Sequence, residues 1–216
     1  MMTDNNIHIV GIGNLGMSFL DGFKSLKDTT SFYLYENKLE TVKNLESSYS
    51  VSNDIDQIDN GVLLLCIKPN NLNEFINLNK SKISDQVLIA SPIAGVSINY
   101  FENHFKNKVL RLMPNLAIKN NSGFIPFAKN YDEDYLHFIK ELNHLGQTNE
   151  YPEDLFDIIT AIFGSGPAWY FELSSKITDA AIKLGMETAD AKFIVEQLIL
   201  SLPSFIGEQE FGQIVN

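Results

Sequence analysis

The sequence predicts an α/β fold, a mostly parallel sheet over residues 1–150 followed by a small all-helical domain over 151–216, and three observations carry that prediction. Strand-like and helix-like segments alternate through the first part, the pattern that gives a parallel sheet with right-handed crossovers. Val62-Leu63-Leu64-Leu65-Cys66-Ile67 is an unbroken apolar run, as in a strand covered on both faces. Beyond Tyr151-Pro152 no strand pattern recurs and helical spacing takes over.

Residues 7–10 read as a short apolar strand that runs into Gly11, and residues 14–26 have helical spacing. A second strand, 32–35, ends at Glu36, and 38–46 is a charged, amphipathic segment. The polar stretch 70–79 is interrupted by Leu72, Phe75, Ile76 and Leu78, which makes it a helix. Further strands fall at 87–90, 109–113 and 124–127, and a helix at 132–145 is closed by Gly146. The C-terminal part holds a short helix over 154–163 and a longer one over 168–184. The longer one carries Trp169, Leu173, Ile177 and Ala181 on one stripe and is stopped by Gly185. Thr188 is the expected N-cap of a third helix reaching Leu202, which Pro203 ends. The apolar side chains of the last two helices exceed what so small a domain can bury alone, so a homodimer through these helices is expected.

Composition narrows the functional classes. Of 216 residues 44% are apolar, enough for a packed core, yet no apolar run approaches the 18 residues that suggest a membrane span. The opening MMTDNN lacks the layout of a secretory signal. The single cysteine, Cys66, excludes an internal disulfide and a Cys-rich metal site, and a cytoplasmic location is expected. The net charge of −11, without a basic cluster, argues against nucleic acid and against a membrane surface as partners. No metal site is expected: the four histidines are scattered and read as surface or strand-edge residues.

The chemistry begins at Gly11-Ile12-Gly13-Asn14-Leu15-Gly16. This is a GxGxxG turn that follows a strand and opens a helix, the context in which it binds a dinucleotide. Gly11 permits the tight turn, Gly13 lets backbone approach a pyrophosphate, and Gly16 lets helix pack on strand, which makes the first domain Rossmann-type. Glu36 lies twenty residues after Gly16, at the end of the second strand, where a carboxylate accepts from a ribose 2′-OH and repels a 2′-phosphate. The expected cofactor is therefore NAD(P)H, leaning to NADH, although Lys38 is close enough to offset part of that repulsion. In Gly164-Ser165-Gly166-Pro167-Ala168, Pro167 suits a first helical turn and the backbone donors form an anion site.

Several motifs in order then resemble one family. They are the Gly11-to-Gly16 turn, Ile67-Lys68-Pro69, Ala94-Gly95, Arg111-Leu112-Met113-Pro114-Asn115, and Thr160-Ala161 leading into Gly164-Ser165-Gly166-Pro167-Ala168. Together they resemble the pyrroline-5-carboxylate reductases over nearly the whole chain, and the last motif is the most specific. The resemblance implies NAD(P)H-dependent reduction of the cyclic imine 1-pyrroline-5-carboxylate to L-proline, in a homodimer built from the C-terminal helices. It implies cofactor contacts from Gly11, Gly13, Asn14, Leu15, Gly16, Glu36, Asn37, Lys68, Pro69 and Asn115, with Lys68 and Asn115 the candidate catalytic residues. The imino acid would be held by Gly164, Ser165, Gly166, Pro167 and Ala168. Arg111 is expected to anchor loops rather than act in the reaction. Three departures stand out. Leu116-Ala117 replaces a Thr-Pro pair and removes a hydroxyl near the cofactor; Glu36-Asn37 replaces the small polar and basic residues of NADP-using members. The family also continues beyond the position of Ile214-Val215-Asn216 with a Ser-Pro-Gly-Gly-Thr-Thr segment that contacts substrate, so the resemblance implies a C-terminally short member. The alternative expectation is a non-catalytic dinucleotide-binding protein derived from that family.

Overall fold

A computed structural model describes residues 6–132 and 136–207. Its strands are β1 (Asn6–Val10), β2 (Ser31–Tyr35), β3 (Ser50–Ser52), β4 (Val62–Leu65), β5 (Leu88–Ser91), β6 (Val109–Leu112), β7 (Gly123–Lys129) and β8 (Gly146–Glu150). They form one sheet in the order β3-β2-β1-β4-β5-β6-β7-β8. β1 to β6 pair in parallel, β7 runs antiparallel to β6, and β8 is parallel to β7. Because β1 lies between β2 and β4, the chain switches its direction of growth there, and open α/β sheets bind ligands in the crevice at the carboxyl ends of such strands.

The helices are α1 (Asn14–Gly22), α2 (Leu72–Asn79), α3 (Ile98–Glu102), α4 (Leu136–Leu142), α5 (Phe156–Ile159), α6 (Gly166–Lys183) and α7 (Thr188–Ser201). Strand alternation divides the core into two layers. Val62 and Leu64 of β4 face one layer with Phe19, Phe23 and Phe138, while Leu63 and Leu65 face the other with Phe75, Phe101 and Phe156. Every residue of β4 is buried, as its unbroken apolar run requires.

The structure differs from the sequence reading in several places. Residues 38–46 form two short 3-10 turns, Leu39–Thr41 and Lys43–Leu45: only Val42 is fully buried, with Leu39 and Leu45 partly so, too little packing to hold so short a segment as an α-helix. Gly146 does not cap a helix; it opens β8 with a φ of +148°, and a Cβ there would lie 1.9 Å from the Gly123 carbonyl oxygen. Of the 132–145 segment, residues 133–135 lie outside those described. β8 and β3 were not expected: both are short, polar edge strands with no apolar alternation to mark them. Thr188 is the first residue of α7 and makes no capping bond.

The chain divides into two compact units, Met1–Gly164 and Ser165–Asn216, rather than at residue 150. The segment after β8 stays with the sheet because Phe156 is fully buried in the second core layer. In the second unit α6 and α7 are joined at Gly185, with a φ of +100°. Trp169, Leu173 and Ile177, three of the apolar stripe, stand exposed.

His8 is also not where a surface histidine belongs. It is buried in β1, stacked on Tyr33 with ring centroids 4.7 Å apart, and its Nδ1 lies 3.1 Å from the Tyr35 hydroxyl. Burial disfavours the charged imidazole and lowers its pKa from 6.5 to about 4. The unfolded chain therefore takes up the proton first, so this contribution to stability is present above pH 6.5 and is lost as pH falls towards 4. Between pH 7.5 and pH 5 the loss is about 2 kcal/mol. In denaturant titrations at those two pH values, His8→Phe is expected to narrow the difference in unfolding free energy by about that amount; an unchanged difference would count against a neutral, buried His8.

Candidate functional site

β1 delivers the chain to Gly11, whose φ is +88° and whose N–H donates to the Tyr35 carbonyl at 2.9 Å, joining the ends of β1 and β2. A Cβ on Gly11 would lie 2.7 Å from the Cys66 carbonyl oxygen, and one on Gly16 would lie 2.2 Å from the Gly11 carbonyl oxygen. Internal packing therefore excludes a side chain at both. Gly13 is different: its φ is −80°, and a Cβ there would meet nothing within 4 Å. Gly13 also occupies the N-cap of α1, where no side chain caps the helix and no acidic residue sits in the first turn. The amide donors and the positive end of the helix dipole are left for an incoming anion.

Glu36 closes the turn from the side. One carboxylate oxygen accepts from the Ile12 N–H at 2.9 Å, the other from the Lys38 N–H at 3.1 Å. Each oxygen keeps a second acceptor position. Gly11, Gly13, Glu36, Asn37 and Lys68 line a single cleft of about 490 Å³ at the switch point. Tyr35, Cys66 and Glu74 line it too and were not expected. Asn71, Glu74, Phe75 and Leu78 all line it at helical spacing, a periodicity visible in the sequence although the direction of that face was not. Burial raises the Tyr35 phenol above its usual range and pushes the Cys66 thiol up as well, so both stay protonated and Cys66 is no nucleophile.

Five of the expected contacts do not line this cleft, among them Gly16, which packs against the Gly11 carbonyl. Asn14 starts α1, Leu15 packs against the core, and Pro69 opens the 3-10 turn Pro69–Asn71. Asn115 caps the turn Leu116–Asn120, its side-chain oxygen accepting from the Ala117 N–H at 3.0 Å. Arg111 is buried, paired with Glu153 at 2.9 Å and set 4.8 Å from the centre of the Phe156 ring. Glu153 in turn accepts from the Ile98 N–H at 2.6 Å. Arg111 thus ties β6 to the segment after β8, which is an anchor's role.

The Gly164-to-Ala168 motif has its own local geometry. A π-helical turn over Thr160–Gly164 precedes it, with the Thr160 hydroxyl donating to the Phe156 carbonyl at 2.6 Å. Ser165 takes the N-cap position of α6 without a side-chain bond, and Pro167 sits in the first turn, where its missing N–H costs nothing. The Ala168 N–H is engaged by the Ser165 carbonyl at 3.0 Å, while a Cβ on Gly166 would meet only open space. Among the described residues there is no His, Cys, Asp and Glu group fit for a metal, and no helix is long and apolar enough to cross a membrane.

Residues 153–214 match the family model described as pyrroline-5-carboxylate reductase dimerisation. The chain is 26% identical over 210 residues to the pyrroline-5-carboxylate reductase of Methanosarcina acetivorans, covering 92% of this chain and 78% of that one. It is 28% identical over 203 residues to pyrroline-5-carboxylate reductase 2 of Bacillus subtilis, covering 88% and 73%. In structure it resembles the 1-pyrroline-5-carboxylate reductase of Streptococcus pyogenes with a TM-score of 0.83 at 24% identity, over 97% of this chain and 83% of that one. The pyrroline carboxylate reductase of Plasmodium falciparum, solved with NADP bound, also gives a TM-score of 0.83, at 20% identity, over 99% and 84%. The structural likenesses speak for the fold, and the sequence similarity to pyrroline-5-carboxylate reductases extends over about nine-tenths of this chain.

Proposed function

We propose that this chain reduces the cyclic imine 1-pyrroline-5-carboxylate to L-proline, using a nicotinamide dinucleotide and preferring NADH. The observation that carries the reading is the glycine turn: Gly13 is bare where internal packing does not require it, over an uncapped helix N-terminus that opens on a cleft. A pyrophosphate fits that arrangement, since it supplies the anion that the α1 amides lack. The relatives' names supply the substrate.

In this reading Gly11, Gly13 and Gly16 shape the turn, and Asn14 and Leu15 bring the first amides of α1 to the phosphates. Glu36 accepts from the ribose hydroxyls with its free lone pairs, and Asn37 flanks it. Lys68, Pro69 and Asn115 border the nicotinamide end, where Lys68 and Asn115 steady charge as the reaction proceeds. When bound, the dinucleotide supplies the hydride. The imino acid's carboxylate rests on the backbone at Gly164, Ser165 and Gly166, with Pro167 holding the turn and Ala168 its first helical residue. The engaged Ala168 N–H leaves fewer donors there than the motif alone suggests. The family model matched at 153–214 and the exposed Trp169, Leu173, Phe193 and Leu200 support a homodimer through α6 and α7. A lone thiol suits the cytoplasm.

Steady-state reduction of pyrroline-5-carboxylate is expected with either reduced cofactor, at least tenfold more efficient with NADH. Equal or better use of NADPH would defeat the preference, and no turnover with dinucleotide binding intact would defeat the imine reading. Gly13→Val is expected to leave the melting temperature within about 2 °C, because open space receives the side chain, yet to weaken both dinucleotides about 100-fold or more by blocking the pyrophosphate. Sedimentation at micromolar concentration is expected to show a dimer that Leu173→Glu converts to monomer; a wild-type monomer would sink the assembly.

A further inference from the structure

We propose that Glu74 is a second determinant of cofactor choice, acting with Glu36 to disfavour a 2′-phosphate in the cleft. The proposal rests on reading the cleft as a dinucleotide site. Glu36 comes from the end of β2 and Glu74 from the first turn of α2, and both line the same space of about 490 Å³. Two carboxylates on the lining of one cleft lower the potential for any anion placed in it.

The cations nearby do not offset the pair. Lys68 is the one ammonium on the cleft lining, against two carboxylates. Lys82 borders the adjoining hollow, but its ammonium is held by Asp54 at 2.9 Å. The Lys38 side chain does not line the cleft, and Arg111, the single arginine, is committed to Glu153. Holding a 2′-phosphate calls for an arginine or comparable cation, and apart from Lys68, which the dinucleotide reading assigns to the nicotinamide end, this cleft presents two carboxylates and the neutral amides of Asn37, Asn70 and Asn71. Glu36 cannot swing aside without giving up its two backbone bonds. Glu74 has no ion pair among the described residues, so its charge is not cancelled locally.

Glu74 also has a structural use, since an acid in the first turn of α2 complements the helix dipole. That use is indifferent to which dinucleotide is bound, and this separates the two roles. Dissociation constants for NADH and NADPH would be measured for the wild type, Glu74→Gln, Glu36→Gln and the double variant, at low and high salt, with circular dichroism to verify the fold. Glu74→Gln is expected to raise affinity for NADPH relative to NADH about three- to tenfold, as removing one of two carboxylate charges from the cleft lining should. The double variant should exceed either single one, and the shift should shrink in high salt. An unchanged ratio in Glu74→Gln, with Glu36→Gln shifting it, would overturn the proposal and leave the dinucleotide reading standing; so would a lowered melting temperature with the ratio intact. Failure of the wild type to bind either dinucleotide would overturn both.

Discussion

A Cβ on Gly16 would lie 2.2 Å from the Gly11 carbonyl oxygen, so α1 can pass over the end of β1 only while that side chain is missing. The rest of the site depends on this approach. It aims the N-terminus of α1 at the crevice where the sheet switches direction. It puts Ile12 within reach of Glu36, so a bond between distant parts of the sequence fixes the turn before any ligand arrives. Binding then meets a turn already in place, and less ordering entropy is lost when the ligand enters.

How much of this the sequence disclosed depended on what each segment buries. β4 was legible because both its faces are covered, leaving no room for a polar residue in Val62 through Leu65. The glycine turn was legible because each glycine answers a separate geometric demand, and Glu36 because its spacing from Gly16 is set by one helix and one strand. β3 and β8 were not legible: an edge strand is held by its neighbour's backbone, and backbone pairing leaves no mark on residue type. The 38–46 segment shows the converse, an amphipathic pattern without enough buried surface to hold a helix. His8 was misjudged because residue type was weighed above its place in a central strand, where two tyrosines supply the partners.

Within the cleft, the sequence identified residues fixed by a motif and missed those supplied by a face. Glu74, Phe75 and Leu78 belong to no motif; they reach the site because α2 follows β4 directly across the switch point. Glu36 shows a further limit, for its spacing indicated a ribose ligand but not a carboxylate already bound to two amides. Asn115 likewise holds its own turn through the Ala117 N–H, so any role at a bound ligand falls to the rest of its side chain or to its backbone.

The single tryptophan of the chain, Trp169, stands on the exposed apolar side of α6. An indole in water emits at longer wavelength than one enclosed by apolar neighbours, so the chain carries its own optical gauge of whether that side is wet or covered. The cleft beside the glycine turn has no indole on its lining, so that emission originates on α6 and not in the cleft.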